Sequence, residues 1–494
     1  MQLHCTDNVA IALRDISKGE EVSFGSGTVA VEENVPGGHK LALKDLANGE
    51  NVVKYGSPIG HATSDIKQGT WVHSHNIKTN LSGKLVYQFR PEERTKLQSA
   101  QDLPNTFLGY VREDKSVGIR NEIWVINTVG CINKTAERLA QMADKELQSD
   151  AIDGVFHFAH PYGCSQLGDD LRYTQELLAS LVRHPNAAGV LVMGLGCENN
   201  RIAEFTKFLG DYPSQRVQFM NVQDTDDEVT VGMEKLTLLA QYAKTFRRTP
   251  VPISELKVGL KCGGSDGFSG ITANPLVGAV SDLLVGQGAT TLLTEVPEMF
   301  GAETLLMNRA TDQETFQKIV SLINDFKDYY IRHNQVIYEN PSPGNKDGGI
   351  TTLEEKSLGC TQKGGTSAVV DVLPYAKRAT KRGLNLVSAP GNDMVSVTAL
   401  AAAGAHMVLF TTGRGTPLGG AVPTVKVSTN SRLFEQKPHW IDMDAGGLLA
   451  GTSMDELAKR FHRLIVDIAS GERRTHNETN GFREIAIFKD GVTL

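Results

Sequence analysis

Residues 188–197, Ala188-Gly189-Val190-Leu191-Val192-Met193-Gly194-Leu195-Gly196-Cys197, run from an unbroken apolar segment into a glycine-bearing turn that ends on a cysteine. A short apolar run of this kind, bounded by a turn signal, reads as a buried strand. The same unit occurs twice upstream. Ile123-Trp124-Val125-Ile126 leads to Val129-Gly130-Cys131, and Gly154-Val155-Phe156-His157-Phe158 leads to Tyr162-Gly163-Cys164. Helical segments fill the intervals at 134–145 and 171–182. This alternation predicts a mostly parallel sheet with helices on its faces, an α/β Rossmann-like domain over 107–250. Each cysteine follows the carboxyl end of its strand, where open α/β sheets gather ligands. Cys131, Cys164 and Cys197 are therefore placed to converge although far apart in sequence.

Working outward, Thr249-Pro250-Val251-Pro252 reads as a proline-bounded break before a second α/β domain, 251–494. Its strand candidates are 256–260, 290–294, 367–372, 384–388 and 407–411, with helical patterns at 312–330 and 453–470. Residues 1–80 differ in kind. Asp15-Ile16-Ser17-Lys18-Gly19-Glu20 is echoed by Asp45-Leu46-Ala47-Asn48-Gly49-Glu50 and by Asp65-Ile66-Lys67-Gln68-Gly69-Thr70. Each copy reads as a turn closed by glycine and entering a strand, which predicts a small all-β module. Residues 81–106, polar and punctuated by proline, read as a linker.

A chain of 494 residues exceeds one compact core. Its net charge of −7 comes with no basic stripe, and 6% aromatic residues supply few stacking platforms, which argues against nucleic acid as partner. No stretch approaches the roughly 20 apolar residues of a membrane span. The start, Met1-Gln2-Leu3-His4-Cys5-Thr6-Asp7-Asn8, lacks a basic and apolar leader, so a cytoplasmic protein is expected, with its six cysteines free, catalytic or metal-binding. The 49 glycines concentrate in pieces such as Gly344-Asn345-Lys346-Asp347-Gly348-Gly349, the mark of tight loops on a rigid scaffold.

Several of those loops carry chemistry. Three thiols at loop tips suit an iron site with one open position, either a single Fe(II) or an iron–sulfur cluster; the plainer reading is that they fill space at the sheet edge. His73 and His75, two apart after the strand-like Thr70-Trp71-Val72, would share a face and offer two ligands, with His39 as a third; a polar strand end is the alternative. Arg414, between Gly413 and Gly415 after a strand, suits bidentate binding of a carboxylate. Cys262-Gly263-Gly264-Ser265-Asp266-Gly267 resembles a nest of backbone N–H groups for an anion, or a simple tight turn. Asn345 and Lys346 bring an amide and an ammonium to the same region. Glu295, Glu298 and Glu303 cluster near a strand end, where one could serve as general base or acid, against the commoner solvated carboxylate. No phosphate-binding glycine motif is present, so a nucleotide cofactor is not indicated.

These residues together are familiar. The module with Gly38-His39-Lys40 and His73-Ser74-His75-Asn76 resembles the SAF (β-clip) domain. With the cysteine loops, Asn340-Pro341-Ser342-Pro343-Gly344-Asn345-Lys346 and Gly413-Arg414-Gly415-Thr416-Pro417, the whole chain resembles the altronate/galactarate dehydratase family. The resemblance implies a hydro-lyase of hexuronate catabolism that converts D-altronate into 2-dehydro-3-deoxy-D-gluconate. It implies a requirement for Fe(II) or Mn(II), and a homo-oligomer, expected to be a dimer. Cys131, Cys164, Cys197 and His39 match both branches of the family; the His73/His75 pair and Cys360 match the altronate branch. On this footing the cysteines and the histidine pair are the expected metal ligands. His39 or Lys346 is the expected base, and Arg414, Ser265, Asp266 and Asn345 are expected to hold the acid. Galactarate dehydration, a sulfolactate-type lyase reaction, or a sugar-acid-binding regulatory protein without catalysis are the alternatives.

Overall fold

The computed structural model describes residues 1–25, 27–93 and 102–493, so residues 94–101 of the linker lie outside the described residues. Within 1–80, short antiparallel strands form three small sheets, among them Val9–Ile11, Lys40–Ala42 and Trp71–Val72 in one, and Asn51–Lys54, Ser57–Ala62 and Ile77–Lys78 in another. The echoed turns hold this module together. Each ends at a glycine of positive φ: Gly19 at 86°, Gly49 at 83° and Gly69 at 85°. A fourth copy, unread in the sequence, is Asn34-Val35-Pro36-Gly37-Gly38, with Gly38 at 83°. The copies pair, Ile16 bridging Val35 and Leu46 bridging Ile66. Each opening Asp or Asn caps its partner's turn. Asp15 accepts from Gly37 N and Asn34 from Lys18 N, while Asp45 accepts from Gln68 N and Asp65 from Asn48 N. The repeated residues are therefore those whose side chains satisfy turn amides.

The described part of the linker is strapped down rather than free. Lys84 pairs with Asp328, Tyr87 donates to Glu303, Phe89 stacks on Phe316, and Glu92 N donates to Asn308 O.

The middle region carries a four-stranded parallel sheet in the order Gly154–Phe158, Glu122–Asn127, Ala187–Gly194, Val217–Asn221. Its two central strands are buried at every position, as their unbroken apolar character requires. The expected break at 249–252 is instead a strand, Arg248–Pro252, antiparallel to Thr106–Val111. It lies at the edge of a three-stranded sheet, the position where a strand tolerates prolines.

The C-terminal region is built on seven parallel strands in the order Val369–Leu373, Gly383–Val387, Thr290–Leu293, Lys257–Cys262, Met407–Thr412, Thr424–Ser428, Met443–Asp444. From Lys257–Cys262 the chain winds toward one edge of the sheet, and from Met407–Thr412 toward the other. The loops leaving these two neighbouring strands therefore flank the topological switch point, where such sheets bind ligands. Helices Gly168–Val182 and Asp393–Ala402 share one apolar core, joining the two α/β regions through Leu177, Leu181, Val397 and Leu400. The β module completes its own core with Ala302 and Leu358 of the C-terminal region.

Candidate active site

At the carboxyl edge of the large sheet, ionisable side chains stand where apolar ones would pack more cheaply. Lys261, the penultimate residue of its strand, places Nζ 2.5 Å from Glu295 Oε1 and 2.9 Å from Asp393 Oδ1. Lys363 Nζ lies 3.1 Å from Glu295 Oε2, and Lys356 Nζ 2.9 Å from Glu298 Oε1. Cys262 Sγ sits 2.6 Å from Ser265 Oγ, and the Cys360 thiol donates to Glu298 Oε2 at 3.1 Å. All but Asp393 are buried. Replacing buried ion pairs by hydrocarbon is often neutral or stabilising, so folding alone does not account for this cluster.

Its electrostatics are uneven. Burial pushes the Glu295 carboxyl up to about 7 despite Lys261 and Lys363. Burial acts the same way on Glu298, but Lys356 and its neighbours overcome it and hold that carboxyl at about 2. A hydrogen bond shared with Cys360 holds the Cys262 thiol below its ordinary range and raises that of Cys360. Glu295 is also in the left-handed region, φ 70° and ψ 53°, a conformation that costs a non-glycine residue about 1–3 kcal/mol.

The loop after Lys257–Cys262 forms the next wall. Gly263 N is bonded to Thr411 O, Asp266 N to Ser269 Oγ and Gly267 N to Gly348 O. Among the described residues the amides of Gly264 and Ser265 have no such partner, and Gly264 has φ 62°, so two adjacent N–H groups are free for an anion. Arg414 lies against them: its amide donates to Gly264 O and its side chain is exposed. Asp266 is spent internally, accepting from Phe268 N, Ser269, Thr429 and Asn430, and a Cβ at Gly413 would stand 2.2 Å from its Cγ. Asn345 lies in the short helix Pro343–Asp347; its amide donates to Ser265 O while its oxygen accepts from Ser342 and Lys356. Lys346, beside it, is half-buried.

The β module closes the site from above. A Cβ at Gly267 or Gly349 would stand 1.9 or 2.3 Å from Gly38 O, so backbone packs on backbone at this seam. Lys40 and Lys54 reach down to Glu355 at 2.8 and 2.7 Å. His39 lies between Trp71 and the short helix. The indole N–H can only donate, so Nδ1 accepts from Trp71 at 3.2 Å, leaving Nε2–H to donate to Asp347 O at 3.3 Å. Burial and Lys40 lower its proton affinity, so the ring is held neutral in one tautomer. His73 and His75 do not share a strand face. The strand ends at Val72, and Asn76, accepting from His73 N, closes a turn that holds both. Both rings nevertheless meet Trp71, His73 stacked at 5.1 Å and His75 tilted at 5.3 Å. His73 is pushed down to about 4 by burial, and its Nδ1 is buried without a partner.

The three loop cysteines lie elsewhere, at the carboxyl edge of the middle sheet. Their loops adjoin through Gly130 N to Tyr162 O and Asn199 N to Cys164 O, and all three thiols are exposed. Buried polar atoms without partners occur within four residues of each cysteine along the chain: Asn127 Oδ1, His160 Nε2 and Asn200 Oδ1. Soft donors and unsatisfied polar atoms suit an iron centre in chemistry. Among the described residues, however, no three His, Cys, Asp or Glu side chains are grouped to hold a metal ion, here or around His39.

The structure thus gathers His39, His73, His75, Ser265, Asp266, Asn345, Lys346 and Arg414 at one seam and leaves Cys131, Cys164 and Cys197 apart from it. Sequence reasoning does not find Lys261, Lys356, Lys363 and Glu355. The available signal is a lysine adjoining the strand-like run Leu256-Lys257-Val258-Gly259-Leu260.

Comparison with known proteins agrees along the whole chain. Residues 1–80 match the altronate/galactarate dehydratase SAF domain, residues 109–244 the D-galactarate dehydratase/altronate hydrolase second domain, and residues 253–493 the D-galactarate/altronate dehydratase C-terminal domain. The chain is 55% identical to an altronate dehydratase of Escherichia coli (strain K12) and 52% to one of Bacillus subtilis (strain 168), in both cases over 100% of this chain and 99% of the relative. Identity to a galactarate dehydratase (L-threo-forming) of Escherichia coli (strain K12) is 34%, over 99% of this chain and 96% of that one.

Proposed function

This chain belongs to the D-galactarate/altronate dehydratase family, and from that premise we propose that it is a hydro-lyase removing water from D-altronate to give 2-dehydro-3-deoxy-D-gluconate. The observation that carries the reading is end-to-end identity above one half to two altronate dehydratases, against about a third to the galactarate enzyme.

The seam has the parts that the reaction needs. Taking a proton from C2, next to a carboxylate, builds further negative charge on that group, and the step is slow unless the charge is met by fixed donors. Arg414 and the free amides of Gly264 and Ser265 supply such donors at the switch point. The neutral His39, fixed by Trp71 and Asp347, borders the site from the module side. Both its ring nitrogens are engaged, so it orients its neighbours and would act as a base only after releasing Trp71. Lys346, half-buried on the adjoining helix, is left to meet a hydroxyl of the acid.

An iron requirement belongs to the same proposal. Cys131, Cys164 and Cys197 on their adjoining loops, or the histidine pair, are the donor sets proposed for the ion, although among the described residues neither is drawn together into a three-ligand group, and thiolates favour iron over manganese. When bound, the metal would supply Lewis acidity toward an oxygen ligand. A cytoplasmic location is supported by six free cysteines, and no helix among the described residues is long and apolar enough to cross a membrane. A homodimer is proposed alongside, to be checked by light scattering.

The direct test is to incubate the full chain with D-altronate, galactarate and sulfolactate and follow the 2-oxo acid product by NMR. Turnover of altronate at least about tenfold above the others is expected; preference for either of the other acids overturns the assignment.

A further inference from the structure

Gly263 and Gly264 leave their turn bare of side chains, and two residues of opposite charge stand against them. A Cβ at Gly263 would lie 2.6 Å from Asp393 Oδ2, and one at Gly264 would lie 3.5 Å from Arg414 Cβ. Asp393 opens helix Asp393–Ala402, but the capping there is done by Asn392, whose side chain accepts from Val395 N. The Asp393 carboxylate is thus kept for other partners. Lys261 Nζ, from its buried position, meets Oδ1 at 2.9 Å. Lys426, whose ammonium also feels this charge, is bonded to Thr416 O and Leu418 O instead. Among the described residues Oδ2 accepts no hydrogen bond, and the side chain is 38% exposed. Asp266, by contrast, is buried and spends its oxygens on Phe268 N, Ser269, Thr429 and Asn430.

Neighbouring positions of one turn therefore offer an acid two kinds of fixed group. The amides of Gly264 and Ser265 are free to donate, and beside Gly263 a carboxylate has one oxygen left to accept. A carboxylate already anchored through one oxygen gives up little further freedom when the other is engaged. An acceptor so near the donors meets the carbons next to the acid's own carboxylate, not the far end of its chain.

We propose that Asp393 is a specificity-determining residue: Oδ2 accepts a hydroxyl of the sugar acid close to its carboxylate, and the charge turns away acids that carry an anion there. The inference deepens the altronate reading given above and rests on it. A hydroxyl can donate to Oδ2. A sulfonate cannot, and it sets two like charges against each other, an arrangement that selects by repulsion as well as by attraction. Altronate, with hydroxyls on C2 and C3, is accepted where sulfolactate, with a sulfonate on C3, is refused. Whichever residue stands at 393, Lys261 keeps Glu295 at 2.5 Å, so substitution there leaves no buried ammonium unpaired.

The test titrates the full chain with D-altronate and with sulfolactate by calorimetry, beside turnover of altronate. Asp393→Asn keeps an oxygen to accept but loses the charge. It should bind sulfolactate about tenfold more tightly than wild type does, while its Kd for altronate changes less than about threefold. Asp393→Ala loses the acceptor as well and should raise the Kd for altronate by about tenfold or more. Both should fold like wild type by circular dichroism. A ratio of the two affinities unchanged in Asp393→Asn, or altronate bound by Asp393→Ala as tightly as by wild type, overturns the proposal; the second result decides even if the asparagine variant fails to fold. Wild type that binds altronate without turning it over refutes the functional reading while the titrations still judge Asp393. Wild type that does not bind altronate ends both.

Discussion

Lys40 and Glu355 lie 315 residues apart in the chain and 2.8 Å apart in the fold, both buried at the seam between the β module and the C-terminal region. Lys54 meets the other oxygen of the same carboxylate at 2.7 Å, and Thr351 N donates to it as well. Burial alone would raise the Glu355 carboxyl; the two ammoniums reverse that and hold it well below the ordinary carboxylate range. This side chain is one of the contacts, with Glu354 on Thr79 and Asn80 and the shared apolar core, that fix the module carrying His39 over the sheet edge that carries Glu295.

Glu355→Ala is therefore expected to be far worse than an average substitution, because it leaves two buried ammoniums without a counter-charge. Breaking a buried pair from one side costs about 3–5 kcal/mol. The midpoint of urea unfolding should fall accordingly, and limited proteolysis should reach residues 1–80 earlier than in wild type. A midpoint unchanged within error would mean that the module is held by its other contacts.

Acid stability should follow Glu478. Its carboxylate receives Arg120 Nε at 2.7 Å and Nη2 at 3.0 Å, and both residues are buried where the chain's end meets the middle region. Burial raises this carboxyl but Arg120 overcomes it, giving about 2 against an unfolded value of 4.5. Because the folded value is the lower one, the contribution is complete above pH 4.5 and is lost as pH falls toward 2. Its size is roughly 3 kcal/mol. Urea midpoints of wild type should fall over that window, and Glu478→Gln should flatten the fall while lowering the midpoint at pH 7.

Some of this is legible in the chain and some is not, for physical reasons. Val190–Met193 reads as a buried strand because a central parallel strand has no polar face to blur the signal. The turn echo reads because each Asp caps a partner turn; the copy at Asn34–Gly38 escapes because asparagine and Pro36 replace its marker residues. Thr424–Ser428 does not stand out as a strand since Lys426 interrupts its apolar run, yet that lysine is buried with its ammonium on Thr416 O and Leu418 O. Lys261 and Lys363 are invisible for the same reason. A lone lysine ordinarily marks solvent, and only tertiary structure shows that Glu295 awaits it. The glycines do mark close approach, but at Gly267 and Gly349 what approaches is the module's own backbone.

Arg414 is expected to govern affinity for the acid. Its backbone amide donates to Gly264 O, beside the free amides of Gly264 and Ser265, its side chain is exposed, and a charge-assisted hydrogen bond is worth about 1.5–3 kcal/mol. Arg414→Ala should raise KM for altronate by roughly tenfold or more, with Arg414→Lys intermediate because it loses the bidentate geometry. A rise below about tenfold in steady-state kinetics would remove Arg414 from the proposed carboxylate site.

Iron content should depend on the middle sheet. Wild type is expected to hold iron after anaerobic purification, and Cys131→Ser, Cys164→Ser and Cys197→Ser each to lose it, as counted by metal and acid-labile sulfide analysis. His73→Ala should leave it in place. The reverse pattern would move the metal to the histidine cluster around Trp71, where His73 Nδ1 is buried and unpartnered.

Two glycines of the same seam should answer oppositely to alanine. At Gly267 a Cβ would stand 1.9 Å from Gly38 O and 2.8 Å from Gly38 C, both backbone atoms that cannot swing aside, and Gly267 N is itself bonded to Gly348 O at 2.7 Å. Relief requires the module to lift, which strains the Lys40–Glu355 pair and carries His39 away from Asp347. Gly267→Ala should thus cost at least the ~1–3 kcal/mol of an overpacked core site and lower kcat/KM by about tenfold or more. Gly344, in helix Pro343–Asp347, has open space within 4 Å of the point where an alanine methyl would stand. Alanine there removes backbone entropy from the unfolded chain and should stabilise by a few tenths to about 1 kcal/mol with activity intact. Equal tolerance at both positions, read from urea midpoints and kcat/KM together, would show that the module does not bear on the sheet edge in solution.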